Sequence, residues 1–134
     1  MKALESALYV TDLGEATAFY SRLLNQQPRD LLPGRHAFFQ LDGSVLLLFN
    51  AEQTRQVTDL PIPTHGSEGQ GHFCLSSAPK GIDHWRQRLA ELGIQLEIAF
   101  LWPNGARSLY FRDPSGNSLE IAEPKLWGFN DDGI

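Results

Sequence analysis

Glu5-Ser6-Ala7-Leu8-Tyr9-Val10 and His72-Phe73-Cys74-Leu75-Ser76-Ser77 are the stretches that decide the fold. Each reads as a short strand, and each is followed by the same order of patterns: one helical stripe, then three strand-like runs. In the first stretch Ser6, Leu8 and Val10 alternate with Glu5, Ala7 and Tyr9, the period of two of a strand with one covered face. Asp12 stands three residues before Glu15, as in a capping box with Asp as N-cap. Ala16, Phe19, Tyr20, Leu23 and Leu24 then recur at helical spacing, and Asn25 to Pro28 ends the helix.

Working outward, strands are expected over 29–32, 36–41 and 45–50. Asp42-Gly43-Ser44 is a hairpin turn signal between the last two. Residues 52–70 carry Pro61, Pro63, Gly66 and Gly69 and read as a linker. The second copy follows. Ile82, Trp85, Leu89 and Leu92 form a helical stripe with Gly93 as C-terminal cap. Strands are expected over 94–100, 106–112 and 118–123, with Asp113-Pro114-Ser115-Gly116 as a tight turn. A tail, 124–134, carries Trp127 and Phe129, which predicts that part of it packs.

The expected fold is therefore α+β: two tandem βαβββ modules, about 1–60 and 70–124. Their strands would form a curved, partly closed mixed sheet with the helices outside. A module of that size would leave one sheet face bare, so the chain is read as one domain.

The chain has 134 residues, 42% hydrophobic and 20% charged, which places it among globular proteins. Its net charge of −5 argues against nucleic acid as a partner. The apolar run Val45 to Phe49 is too short to span a bilayer, so no membrane partner is expected. Cys74 is the single cysteine, which excludes an intrachain disulfide. With no signal-peptide pattern at Met1 to Glu5, the expected location is the cytoplasm.

Strand parity selects the candidate site. If Leu8 and Val10 cover the first helix, Glu5, Ala7 and Tyr9 look the other way. By the same logic His72 and Cys74 oppose Phe73 and Leu75, and Glu120 opposes Leu119 and Ile121. Two carboxylates and an imidazole thus share the concave side. A lone ionised carboxylate inside an apolar strand is expensive unless paired or metal-bound, which singles out Glu120. A metal-free alternative is a His72–Glu120 hydrogen-bonded pair.

The run Ser108 to Glu120, with its Asp113-Pro114-Ser115-Gly116 turn, resembles the signature of the vicinal oxygen chelate superfamily, as do Leu8 to Leu13 with Phe19-Tyr20. That superfamily includes glyoxalase I, extradiol dioxygenases, and fosfomycin- and bleomycin-resistance proteins. The resemblance covers about residues 4–123. It implies metal ligands at Glu5, His72 and Glu120, with Glu5 standing where the family usually has His. A fourth ligand found in glyoxalase I falls on Leu46 or Leu47, neither of which binds metal. One His and two carboxylates suit Mn, Mg or Zn, with Fe and Ni within the family's range.

Arg35, His36, Trp102, Arg107 and Tyr110 are the candidate substrate-binding residues at the rim of the concavity. Arg35 or Arg107 would take a carboxylate or phosphonate bidentately. Cys74 lacks a basic sequence neighbour and reads as a buried thiol rather than a nucleophile. His65 and His84 read as ordinary linker and helix residues.

The resemblance implies a metal-dependent enzyme of the glyoxalase or dioxygenase type that chelates a small oxygen-rich substrate. The alternative it implies is a non-catalytic drug-binding protein of the bleomycin-resistance type. Fosfomycin-type thiol transfer ranks below both, because no potassium-binding loop or phosphonate cluster is evident. A homodimer is the expected assembly.

Overall fold

The computed structural model describes residues 1–132; the last two positions of the expected tail, 133–134, lie outside the described residues. The chain divides into two compact units, one of residues 1–71 with 113–117, the other of 72–112 with 118–132.

The first unit runs β1 (Glu5–Val10), α1 (Leu13–Leu24), β2 (Asp30–Leu32), β3 (His36–Leu41), β4 (Ser44–Asn50) and α2 (Ala51–Thr54). Its sheet has the order β1-β4-β3-β2, with β1 parallel to β4 and the other pairs antiparallel. The capping box holds: Glu15 N donates to Asp12 Oδ1 at 2.9 Å. Leu13, Ala16, Tyr20 and Leu23 are buried along one stripe of α1, and Leu8 and Val10 are buried in β1. Asn25 ends the helix in the left-handed conformation, its N–H turned back to Arg22 O.

The second unit repeats this order. It runs β5 (His72–Ser76), α3 (Ile82–Glu91), β6 (Ile98–Leu101), β7 (Arg107–Arg112) and β8 (Ser118–Ala122). The sheet order β5-β8-β7-β6 and the parallel β5–β8 pair mirror the first sheet. Two βαβββ units in tandem are the observed fold. The second helix is the weaker: Gly81 offers no side-chain cap, and only Ile82 and Leu89 are buried.

Three expectations are corrected. Strand β6 begins at Ile98 rather than at 94. Ile94 N returns to Leu89 O to close the helix, and the backbone reaches β7 only from Glu97 N to Tyr110 O. The start of the linker is helical over Ala51–Thr54, because Asn50 Oδ1 accepts from Gln53 N as an N-cap. The tail forms a 3₁₀ turn over Pro124–Trp127, yet Trp127 and Phe129 are exposed. Its anchor is polar: Asn104 Nδ2 donates to Lys125 O and Leu126 O.

The Asp113–Asn117 turn is counted with the first unit for a clear reason. Asp113, buried, accepts four hydrogen bonds: Ser115 N and Asn117 N on Oδ1, Tyr20 Oη and Asn117 Nδ2 on Oδ2, all at 2.8–2.9 Å. Asn117 Nδ2 also donates to Tyr9 O, and Gly71 N donates to Asn117 Oδ1 at 2.7 Å. Gly116 completes the turn with φ +86°, where a side chain would be strained. Among the described residues no helix is long and apolar enough to cross a membrane.

Candidate functional site

The open face of the second sheet carries the densest chemistry. Register pairs Glu120 with Cys74 on β5 and with Tyr110 on β7. Glu120 is 6% exposed, in the middle of β8. Its Oε2 lies 3.2 Å from His72 Nε2, and its Oε1 is buried with no hydrogen-bond partner. A buried oxygen left bare costs about 1–3 kcal/mol, so a ligand for it is expected.

His72 is oriented to supply the complement. Its Nδ1 faces the Ser118 carbonyl oxygen at 3.0 Å, an acceptor only, so Nδ1 carries the proton. In the neutral ring Nε2 then presents a lone pair toward the Glu120 carboxylate. Two acceptors converging on one point call for a cation: either a second ring proton or a metal ion. A backbone carbonyl fixing the far ring nitrogen is the usual support of a metal-ligating His. These two residues therefore fit a divalent ion.

The neighbours are held protonated. Burial, then the Glu120 carboxylate, pushes the Tyr110 phenol up to about 12. Although Cys74 is exposed, crowding at its thiol and then Glu120 push it up to about 12 as well. Cys74 is thus no ready nucleophile. Tyr110 also faces the His72 ring at 6.4 Å, and Trp102 Nε1 donates to Ser108 Oγ at 2.8 Å.

Arg107 lies elsewhere. Leu109 and Phe111, which share its face of β7 by parity, are buried on the α3 side, opposite Tyr110, while Arg107 itself is exposed. There it donates to Asp83 Oδ1 at 2.9 Å and to Glu123 Oε1 at 3.1 Å. His72, Glu120 and Tyr110 come together; Trp102 holds the same sheet further along; Arg107 is occupied on the other side.

In the first unit Glu5, Leu47 and Phe49 line a cavity of about 450 Å³ on the open face of β1–β4–β3, with Arg35, His36 and Asp30. Glu5 is exposed and, among the described residues, in no ion pair. Register and parity put Leu47, not the fully buried Leu46, on Glu5's face. Among the described residues no group of three or more His, Cys, Asp or Glu side chains is gathered to hold a metal ion.

Asp30 and His65, absent from the expected site, also belong to this face. Asp30 Oδ2 lies 2.8 Å from His36 Nε2. His65 shares a 2.7 Å hydrogen bond with the Tyr9 hydroxyl and sets its ring against Phe49 at 4.7 Å. Asp30 sits one strand from His36 and was findable only through the β2–β3 register. Nothing in the linker's composition signals His65.

Comparison with known proteins bears on this geometry. Residues 3–121 match the family described as the Glyoxalase/Bleomycin resistance protein/Dioxygenase superfamily. A search of curated proteins finds no match. Among solved structures, the chain is similar to a lactoylglutathione lyase from Agrobacterium tumefaciens, with 42% identity over 96% of this chain and 97% of that one, and a TM-score of 0.90. A glyoxalase/bleomycin resistance protein/dioxygenase from Nocardioides aligns at 27% identity over 92% and 83% of the two chains, with a TM-score of 0.70. A glyoxalase/bleomycin resistance protein from Catenulispora acidiphila, at 23% identity over 92% and 98% and a TM-score of 0.68, shares the fold. The paired βαβββ units, the Asp113–Asn117 turn and the match over nearly the whole chain thus agree, and the chain belongs to the Glyoxalase/Bleomycin resistance protein/Dioxygenase superfamily.

Proposed function

We propose that this chain is a metal-dependent enzyme of the glyoxalase type, acting on a small oxygen-rich substrate, with Glu5, His72 and Glu120 as metal ligands. The observation that carries the reading is Glu120 Oε1, buried and bare, on a carboxylate whose Oε2 lies 3.2 Å from His72 Nε2. An ion bound there would supply Lewis-acid polarisation of vicinal substrate oxygens. With one His and two carboxylates, Mn, Mg or Zn suits the set, and Fe and Ni are the further candidates.

The chain's own residues have narrower duties. Ser118 O holds the His72 ring in one tautomer. Tyr110, kept as a phenol well above neutral pH, is a hydrogen-bond donor at the edge of the site and not a base. Cys74, kept as a thiol, adds bulk without charge. The 42% identity to a protein named lactoylglutathione lyase makes lactoylglutathione the first substrate to offer. The reading includes a homodimer in the cytoplasm: edge strand β6 leaves Ile98, Phe100 and Leu101 exposed, an edge that pairing would cover.

The test is metal content by mass spectrometry and Mn²⁺ or Zn²⁺ titration of the whole chain. Native protein is expected to bind and Glu120→Ala to lose binding; the same stoichiometry in both overturns the assignment. A second reading, a non-catalytic drug-binding protein, is favoured by one observation: Leu47 occupies the open face where glyoxalase I has a further ligand. Protein that binds no metal yet retains a cationic drug would establish it.

A further inference from the structure

The cavity of the first unit, which Glu5 also lines, holds in Arg35, His36 and Asp30 an arrangement outside the proposed metal ligands. Arg35 Nη1 donates to His36 Nδ1 at 2.8 Å. A guanidinium only donates, so Nδ1 accepts, Nε2 carries the proton, and that proton goes to Asp30 Oδ2 at 2.8 Å. His36 is buried and lies flat on Phe38, ring centroids 4.1 Å apart at 12°. The Arg35 guanidinium stands over the Phe49 ring, 5.8 Å from its centroid. It is therefore propped from two sides, with one nitrogen engaged and the rest of its donor fork available.

Arg35 has no carboxylate partner among the described residues, unlike Arg55, Arg107 and Arg112, each of which is ion-paired. Arg29, also lining the cavity, donates to Gln40 and has no carboxylate partner among the described residues either. The rest of the lining is mostly apolar, Phe38, Val45, Leu47, Phe49 and Ile62, with the Glu5 carboxylate and His65 as its other polar members. A volume of about 450 Å³ suits a small organic ligand. A half-buried, preorganised guanidinium beside apolar walls is a receptor for a carboxylate on an apolar body.

We infer that the first unit's cavity receives a small apolar carboxylate, its carboxylate on the Arg35 fork and its body against Phe38, Leu47 and Phe49. This names a substrate class for the proposed enzyme, and it rests on that reading only in treating the occupant as substrate. Asp30 and His36 are positioning residues, since they act through Arg35.

Calorimetric titration of metal-stripped whole chain with phenylacetate, phenylacetamide and phenethylamine tests it. Phenylacetate is expected to bind at least about 10-fold more tightly than its neutral amide or the amine. Arg35→Met is expected to remove that preference. Arg35→Lys, which keeps the charge and loses the fork, should retain part of it. Equal affinity for the three probes, or an unchanged preference in a folded Arg35→Met, overturns the inference; thermal melts of the ligand-free variants establish folding. His72→Ala separates the two readings. It is expected to abolish metal binding and leave the metal-free phenylacetate affinity unchanged, so either result can fail alone.

Discussion

Asp113 and Glu120 are two buried carboxylates of one hairpin, seven positions apart, and they are treated oppositely. Asp113, 4% exposed, fills both oxygens with four donors from its own turn and from Tyr20. Glu120, 6% exposed, leaves Oε1 without a partner. The histidines show the same contrast between the two units. His36 has both ring nitrogens met by Arg35 and Asp30, whereas His72 has one met by a carbonyl and the other aimed at a carboxylate. A satisfied polar group holds a fold together, and an unsatisfied one at the same depth is kept for a ligand at a cost in stability.

The largest expected effect comes from removing the satisfied carboxylate. Asp113→Ala strands the Tyr20 hydroxyl and the Asn117 backbone N–H, and urea unfolding should show a loss of about 3 kcal/mol. Substituting the unsatisfied one should invert the pattern. Glu120→Gln is expected to stay within about 1 kcal/mol of native in metal-free urea unfolding while metal affinity falls by about 100-fold. If Glu120→Gln unfolds as readily as Asp113→Ala, the contrast between the two carboxylates is broken.

A smaller effect sharpens the electrostatics of the second face. With its thiol pushed up to about 12, Cys74 should react with iodoacetamide at pH 8 roughly 50-fold more slowly than a free cysteine, less thiolate being partly offset by higher intrinsic nucleophilicity. The rate should climb as pH rises toward that value, and a rate matching the unfolded protein at pH 8 would contradict it.

The smallest lies on the α3 side. Burial raises the Glu123 carboxyl, but hydrogen bonds and charge from Arg107, with Lys125, outweigh it and hold the group low. A depressed carboxyl contributes stability above its unfolded value and loses it as pH falls through the folded one, so the contribution should fade below about 4.5. Glu123→Gln should cost under about 1 kcal/mol at pH 7, and that cost should shrink as the pH is lowered below about 4.5. A cost that does not change with pH would show that the pair acts through packing.

Most of the fold was readable one residue at a time. Alternation placed β1, β3 and β5 within a residue, because a strand with one covered face must repeat every second position. Asp12 and Glu15 announced α1, since an N-cap is a local bond. Asn50 announced α2 by the same chemistry and was passed over among the linker's prolines. Strand β6 was read too early, because an apolar run after a helix gives no sign of how many residues the exit consumes.

For the site, the sequence alone carried that His72 and Cys74 share a face with Glu120, because side-chain direction on a strand follows from position by parity. It also carried the family, through the repeated order and the turn at Asp113. Only the tertiary structure decided which groups were already satisfied. Arg35 and Arg107 look alike in the sequence, yet one is propped without a carboxylate beside a cavity and the other is paired to Asp83 and Glu123. His65 and Asp30 entered the first face through contacts with distant strands. Hydrogen-bond satisfaction depends on every neighbour in three dimensions, and those neighbours are set by packing and register, not by spacing along the chain.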